Sequence, residues 1–135
     1  MEFITKIKKT YENYENNKVV ECSFKKKHTF EHRKEESDRI LAKYPDRIPV
    51  LCEKITQGAP DIDRHKFLCP SDLSMSNFMY VLRKRMKMKS EYSLYLFVNN
   101  KIIQSSALLS QVYDVHRDED GFLYIRYSTE STFGN

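Results

Sequence analysis

Arg47-Ile48-Pro49-Val50-Leu51-Cys52-Glu53-Lys54, then Lys66-Phe67-Leu68-Cys69 beyond a Gly58-Ala59-Pro60 turn, is the stretch on which the fold depends. Both runs have the alternation of a strand. Ile48, Val50 and Cys52 fall on one face of the first run, with Pro49 and Leu51 on the other; in the second, Lys66 and Leu68 oppose Phe67 and Cys69. Pro49 cannot donate to a ladder, which predicts an edge position or a bulge. Upstream, Phe30, Ser37, Ile40, Leu41 and Tyr44 recur at helical spacing behind a Thr29 cap. Pro45 stops that helix by disfavouring helical geometry at the residue before it. Downstream, Ser74 caps a helix whose apolar stripe is Phe78, Val81, Leu82 and Met86. Leu94-Tyr95-Leu96-Phe97-Val98 is apolar on both faces, as a central strand should be, and Asn99-Asn100 turns it. Leu108, Leu109, Val112, Tyr113 and His116 mark a shorter helix, and Asp118-Glu119-Asp120-Gly121 turns into a last strand, Leu123 to Ser128. Helix, two strands, helix, strand, short helix, strand describes an α+β roll with a helix packed across a mixed sheet.

The 135 residues suit one domain with a real core. A chain 40% hydrophobic and 31% charged is a soluble globular protein rather than a disordered one. No apolar run is long enough to span a bilayer, and Met1 to Lys9 lacks the pattern of a secretory signal, so a cytoplasmic protein is expected. Cys22, Cys52 and Cys69 are odd in number and far apart, which argues against a disulfide framework or zinc knuckle and for buried free thiols. A thiol-protease reading could pair a cysteine with His28, His32, His65 or His116, but nothing local marks a nucleophile. The Met and aromatic residues of the stripes are explained by core packing, without a cofactor or a metal. The net charge of +4 gathers in Lys25-Lys26-Lys27 and in Arg83-Lys84-Arg85 with Lys87 and Lys89. These runs suit a solvated face, phosphates, anionic lipid or an acidic peptide; no ribonucleoprotein motif, helix-turn-helix or zinc finger accompanies them, so no nucleic acid is expected.

The last residues are Thr132-Phe133-Gly134-Asn135. A glycine in an exposed tail can enter a narrow enzyme channel in conformations that other residues resist, and removing Asn135 would leave a glycine carboxylate for activation. A frayed end is the other reading.

Longer strings narrow the choice. Phe30-Glu31-His32-Arg33-Lys34 with Glu36-Ser37 and Arg39-Ile40, Arg47 to Lys54, Phe67-Leu68, Pro70-Ser71-Asp72-Leu73, Arg83-Lys84-Arg85, Phe97-Val98-Asn99 and Asp120-Gly121-Phe122-Leu123-Tyr124 leading to Thr132-Phe133-Gly134 run in order from about residue 24 onward. They resemble the ubiquitin-like autophagy modifiers of the GABARAP type. The resemblance implies a ubiquitin-like β-grasp with additional N-terminal helices. Residues 1–22 would be an extension, 23–128 the ubiquitin-like domain and 129–135 a flexible tail. It implies a monomeric modifier with no catalytic residue of its own. A processing cysteine protease would cut between Gly134 and Asn135, with Arg85 at a position associated with that step. Activating and conjugating enzymes would then carry Gly134 to phosphatidylethanolamine, the covalent lipid standing in place of any cofactor. Such a protein would move from the cytoplasm to autophagosomal membranes and the lytic compartment.

The same resemblance implies a groove. The exposed edge of Lys66-Phe67-Leu68-Cys69 would pair with receptor peptides carrying an aromatic residue and, three positions on, an aliphatic one. Glu36, Ile40, Pro49, Leu51, Lys66, Leu68 and Phe122 would form the aromatic pocket, with Leu51, Leu68 and Phe122 partly exposed. Phe67, Cys69, Pro70, Leu73, Phe78 and Val81 would form the aliphatic pocket. Arg47, Arg64 and Lys66 would be a basic rim for acidic residues beside the motif. The family usually has tyrosine at Phe67 and an aliphatic residue at Cys69; both changes keep the pocket apolar. The resemblance does not reach residues 1–22, where Phe3, Ile7, Tyr11 and Tyr14 approximate a helical stripe beside Lys6, Lys8 and Lys9. Membrane contact, docking on the domain and a disordered extension all fit that pattern. An unconjugated cytoskeletal or membrane-trafficking adaptor using the same groove is the competing function.

Overall fold

Continuous burial from Ile48 to Glu53 shows that β1 is covered on both faces in the computed structural model, which describes residues 16–133. The elements in order are α1 (Ser23–Lys27), α2 (Phe30–Lys43), β1 (Arg47–Lys54), β2 (Lys66–Pro70), α3 (Met75–Arg85), β3 (Tyr95–Val98), β4 (Lys101–Ile102), α4 (Leu109–His116) and β5 (Leu123–Ser128). They build one five-stranded sheet in the order β2-β1-β5-β3-β4. β1 runs parallel to β5, and the other neighbouring pairs are antiparallel.

One face of the sheet carries the main core. Ile48, Val50 and Cys52 of β1 meet Leu123, Ile125 and Tyr127 of β5, and Met75, Phe78 and Leu82 of α3 with Leu109 and Val112 of α4 close over them. Each large apolar side chain removed from water here contributes about 1.5–3 kcal/mol. The opposite face packs Leu51 and Phe122 against Phe24 of α1, with Ile40 of α2 and Tyr124 at the margin. Phe24 meets Phe122 edge-on, with ring centroids 5.4 Å apart. The predicted caps form: Thr29 Oγ1 accepts the His32 N–H and Ser74 Oγ accepts the Asn77 N–H. Asn99 and Asn100 both hold positive φ (50° and 64°), which lets a two-residue turn match the twist of the β3–β4 hairpin.

The structure departs from the sequence reading at three points. β1 lies inside the sheet, so Pro49 is neither at an edge nor in a bulge. Cys52 N–H donates to the His65 carbonyl on the β2 side (2.8 Å), so by alternation the Pro49 nitrogen faces the β5 side, and the parallel ladder there starts only at Val50. No ladder bond is asked of it. β3 lies between β5 and β4, as its two apolar faces predict, but the two-residue β4 is too short for periodicity to reveal. Phe30 and Tyr44, the two ends of the expected stripe, are 41% and 39% exposed, whereas Ser37 and Ile40 of that stripe face inward and Arg33 joins them. The short α1 precedes the helix that begins behind Thr29, so the sheet follows two N-terminal helices, as the resemblance implies.

Two polar anchors hold the N-terminal helices on the sheet. Glu53 of β1, nearly buried, accepts the Ser23 N–H (2.9 Å), the Phe24 N–H (3.1 Å) and the Cys22 thiol (3.1 Å), doing for the start of α1 what a local cap would do. Asp120, in the turn before β5, is fully buried; its carboxylate accepts from Arg33 Nε (2.9 Å), the Phe122 N–H (2.9 Å) and the Tyr124 hydroxyl. Ser37 Oγ donates to the Asp120 carbonyl, tying α2 to the same turn.

Candidate functional site

The edge strand β2 offers the clearest place for a partner, because β1 pairs with only one of its sides. His65 turns its carbonyl toward β1, so by alternation Phe67 and Cys69 do the same and Lys66 and Leu68 turn their N–H and C=O groups outward. Arg64 Nε donates to the outward Lys66 carbonyl (3.0 Å). The Lys66 N–H and both groups of Leu68 are left facing outward, the pattern an added strand would use. Pro70, next in the outward set, has no N–H, and its carbonyl accepts from Leu73 (3.2 Å), which ends the usable edge.

On one side of this edge lies a depression of about 170 Å³ lined by Ser23, Phe24, Lys27, His28, Leu51, Glu53, His65 and Lys66. Of the residues expected in an aromatic pocket, Leu51 and Lys66 line it. Glu36 reaches it through an ion pair with Lys66 (2.5 Å), and Ile40 packs on the Leu51–Phe122 cluster. Pro49 is buried opposite Leu68 in the ladder, and Leu68 is 39% exposed. Leu51 and Phe122, expected to be partly exposed, are each 1% exposed. The reason is Phe24, which packs on them from α1, so Leu51 reaches the lining of the depression and Phe122 does not. Phe24, His28 and His65 were not among the residues expected in this pocket. The available signal was Phe24 itself, a large apolar residue set between Cys22 and a run of three lysines.

On the other side, Phe67 packs edge-on against Phe78, 5.5 Å between centroids, and lies between the guanidinium groups of Arg64 and Arg85 (5.9 and 5.6 Å). Leu73 packs against the same core, Cys69 and Phe78 are buried, and Val81 is 37% exposed beside them. Burial in these apolar surroundings pushes the Cys69 thiol up to about 12 and raises the Cys52 thiol as well, so both are inert packing groups. Arg85 also pairs with Asp63 (3.3 Å).

The basic rim is less uniform than expected. Arg47 is exposed, Arg64 folds back on the β2 edge, and Lys66 is already neutralised by Glu36. Gly134 and Asn135 lie outside the described residues, as do residues 1–15 of the extension. Among the described residues, no group of three or more His, Cys, Asp or Glu side chains could hold a metal ion, and no helix is long and apolar enough to cross a membrane.

Comparison with known proteins bears on this geometry. The family model described as autophagy protein Atg8, ubiquitin-like, matches residues 32–134. Autophagy-related protein 8 of Mycosarcoma maydis is 51% identical over 116 residues, covering 85% of this chain and 98% of that protein. The same-named protein of Emericella nidulans is 50% identical over 117 residues, covering 86% and 99%. Among solved structures, the crystal structure of Trypanosoma brucei ATG8 superposes with a TM-score of 0.77 at 41% identity, covering 85% of this chain and all of that one. Plasmodium falciparum Atg8, solved in complex with a Plasmodium falciparum Atg3 peptide, gives a TM-score of 0.76 at 35% identity, with 82% and 98% covered.

Proposed function

Because the chain belongs to the Atg8 family of ubiquitin-like autophagy proteins, we propose that it is a modifier cut after Gly134, conjugated there to phosphatidylethanolamine, and read by partner peptides at the β2 edge. The observation that carries the docking half is the pair of outward-facing residues Lys66 and Leu68, set between the depression over Leu51 and the Phe67 side of the strand. Backbone bonds to these two residues provide attachment, and the flanking apolar sites select an aromatic and an aliphatic side chain. By analogy with the Plasmodium protein and its Atg3 peptide, one such partner is a conjugating enzyme of that kind; cargo receptors are the others.

The conjugation half follows from chemistry. A free glycine carboxylate is a poor acyl donor, so activation and transfer through enzyme thioesters must come before an amine can attack. A two-chain lipid then holds the domain stably where a single chain would hold it only marginally. In this role the domain is substrate and docking surface, and the chemistry belongs to the enzymes that act on it.

Calorimetric titration with a peptide carrying acidic residues, an aromatic residue and an aliphatic residue three positions later tests the docking. Binding on the order of micromolar is expected, since two anchored side chains and a short strand must offset the ordering of a disordered peptide. Leu68→Ala should weaken it by about 1–3 kcal/mol. Equal affinity for that variant would remove Leu68 from the site.

A further inference from the structure

The groove leaves the second basic run, Arg83-Lys84-Arg85 with Lys87 and Lys89, without a use. Within it, among the described residues, only Arg85 forms an ion pair. Among the described residues, ion pairs engage Lys25, Lys26, Arg33, Lys34, Lys54, Lys66 and Arg85, and none includes Arg83, Lys84, Lys87 or Lys89. Arg83 instead donates to the Tyr92 carbonyl (2.7 Å), and Lys84 Nζ lies over the Tyr80 ring (4.7 Å). Tyr80 and Tyr92 are 59% and 56% exposed.

Lys87 and Met88 form a ridge just past the end of α3, with Lys87 at φ 53°. A concavity lies on either side. Tyr80, Arg83 and Lys84 line the first; Met86, Lys89 and Tyr92 line the second, together with Thr129 and Glu130. The basic and aromatic surface therefore adjoins the root of the C-terminal tail directly. From Glu130 to Gly134 a chain of five residues spans at most about 18 Å, so a lipid carried on Gly134 would hold this surface close to the bilayer.

We propose that the end of α3 is a membrane-facing surface. Lys84, Lys87 and Lys89 meet anionic lipid headgroups, Tyr80 and Tyr92 enter the interfacial zone beside them, and the contact orients the conjugated domain. The charge balance is favourable: against the four cations the same region offers Glu91 and Glu130. Basic residues near an anionic leaflet and amphipathic aromatic rings at headgroup level are the two features such a contact uses. The orientation rests on the proposed conjugation at Gly134, but the surface itself does not.

The test therefore uses the unconjugated full chain, sedimented with vesicles of phosphatidylcholine alone or with about a third phosphatidylserine. Binding should require the anionic lipid. Lys84→Glu/Lys87→Glu/Lys89→Glu should weaken it by more than about tenfold, whereas Lys26→Glu/Lys43→Glu should change it by less than about twofold. All five positions are exposed, so a matching thermal transition shows that the fold is intact. Equal vesicle binding by the triple variant overturns the proposal. So does a triple variant that loses only binding to a polyglutamate peptide, which would assign the surface to an acidic protein partner.

Discussion

Asp120 and Gly121 show how much one turn can decide. The Asp120 carboxylate has no exposure to water and is held by Arg33, whose side chain is 12% exposed. Taking away the cation would leave a buried charge with only neutral donors, so Arg33→Ala should cost about 3–5 kcal/mol, measured by urea denaturation. A loss under about 1 kcal/mol would mean that the carboxylate is reached by water. Next to it, Gly121 sits at φ 92°, and a Cβ there would clash with Ser37 Oγ. A side chain at 121 is thus blocked by backbone conformation and by contact with α2 at once. Tyr124 belongs to the same network. Burial, and then its hydrogen bond to Asp120, raise its hydroxyl far above the ordinary tyrosine range, so it stays a donor at any physiological pH.

The strand β2 carries the docking claim at the level of the element, and its charge is set by a neighbour on α2. Lys66 is paired with Glu36, so an acidic peptide residue arriving there has to compete with a carboxylate already in place. Glu36→Gln should therefore strengthen binding of acidic-flanked peptides by about 0.2–1 kcal/mol at low salt, and the gain should shrink at 1 M salt, where the Debye length is about 3 Å. Weaker binding in the Gln variant, by calorimetry, would instead make Glu36 part of the peptide contact. Much of this element was legible in sequence: the alternation through Lys66, Phe67, Leu68 and Cys69 gave the strand, and Thr29 and Ser74 gave the helix starts. The interior position of Pro49 was not, because which side of a strand lacks a partner depends on pairing over long separations. Nor was the capping of α1 by Glu53, whose partners are about 30 residues away in sequence. The burial of Leu51 and Phe122 was missed for the same reason, since only the docking of Phe24 across the sheet covers them.

Viewed as a whole, the molecule separates the proposed docking edge from the root of the tail. The β2 edge and its depressions lie at one end of the strand order, next to β1. The tail instead leaves from the central strand β5, beside the basic end of α3. A peptide can therefore dock while the tail is held elsewhere, as a modifier that recruits partners to a membrane requires. Gly134→Ala should block either removal of Asn135 or the later transfer, because a methyl group restricts the backbone that must thread the enzyme channels. The most direct test of the account is the intact mass of the full chain after incubation with an Atg8-processing protease, activating and conjugating enzymes, ATP and phosphatidylethanolamine vesicles. The account predicts a species that has lost Asn135 and gained one phosphatidylethanolamine, and no such species from Gly134→Ala. A chain that keeps Asn135 and its unmodified mass under conditions that lipidate an Atg8 relative would contradict it.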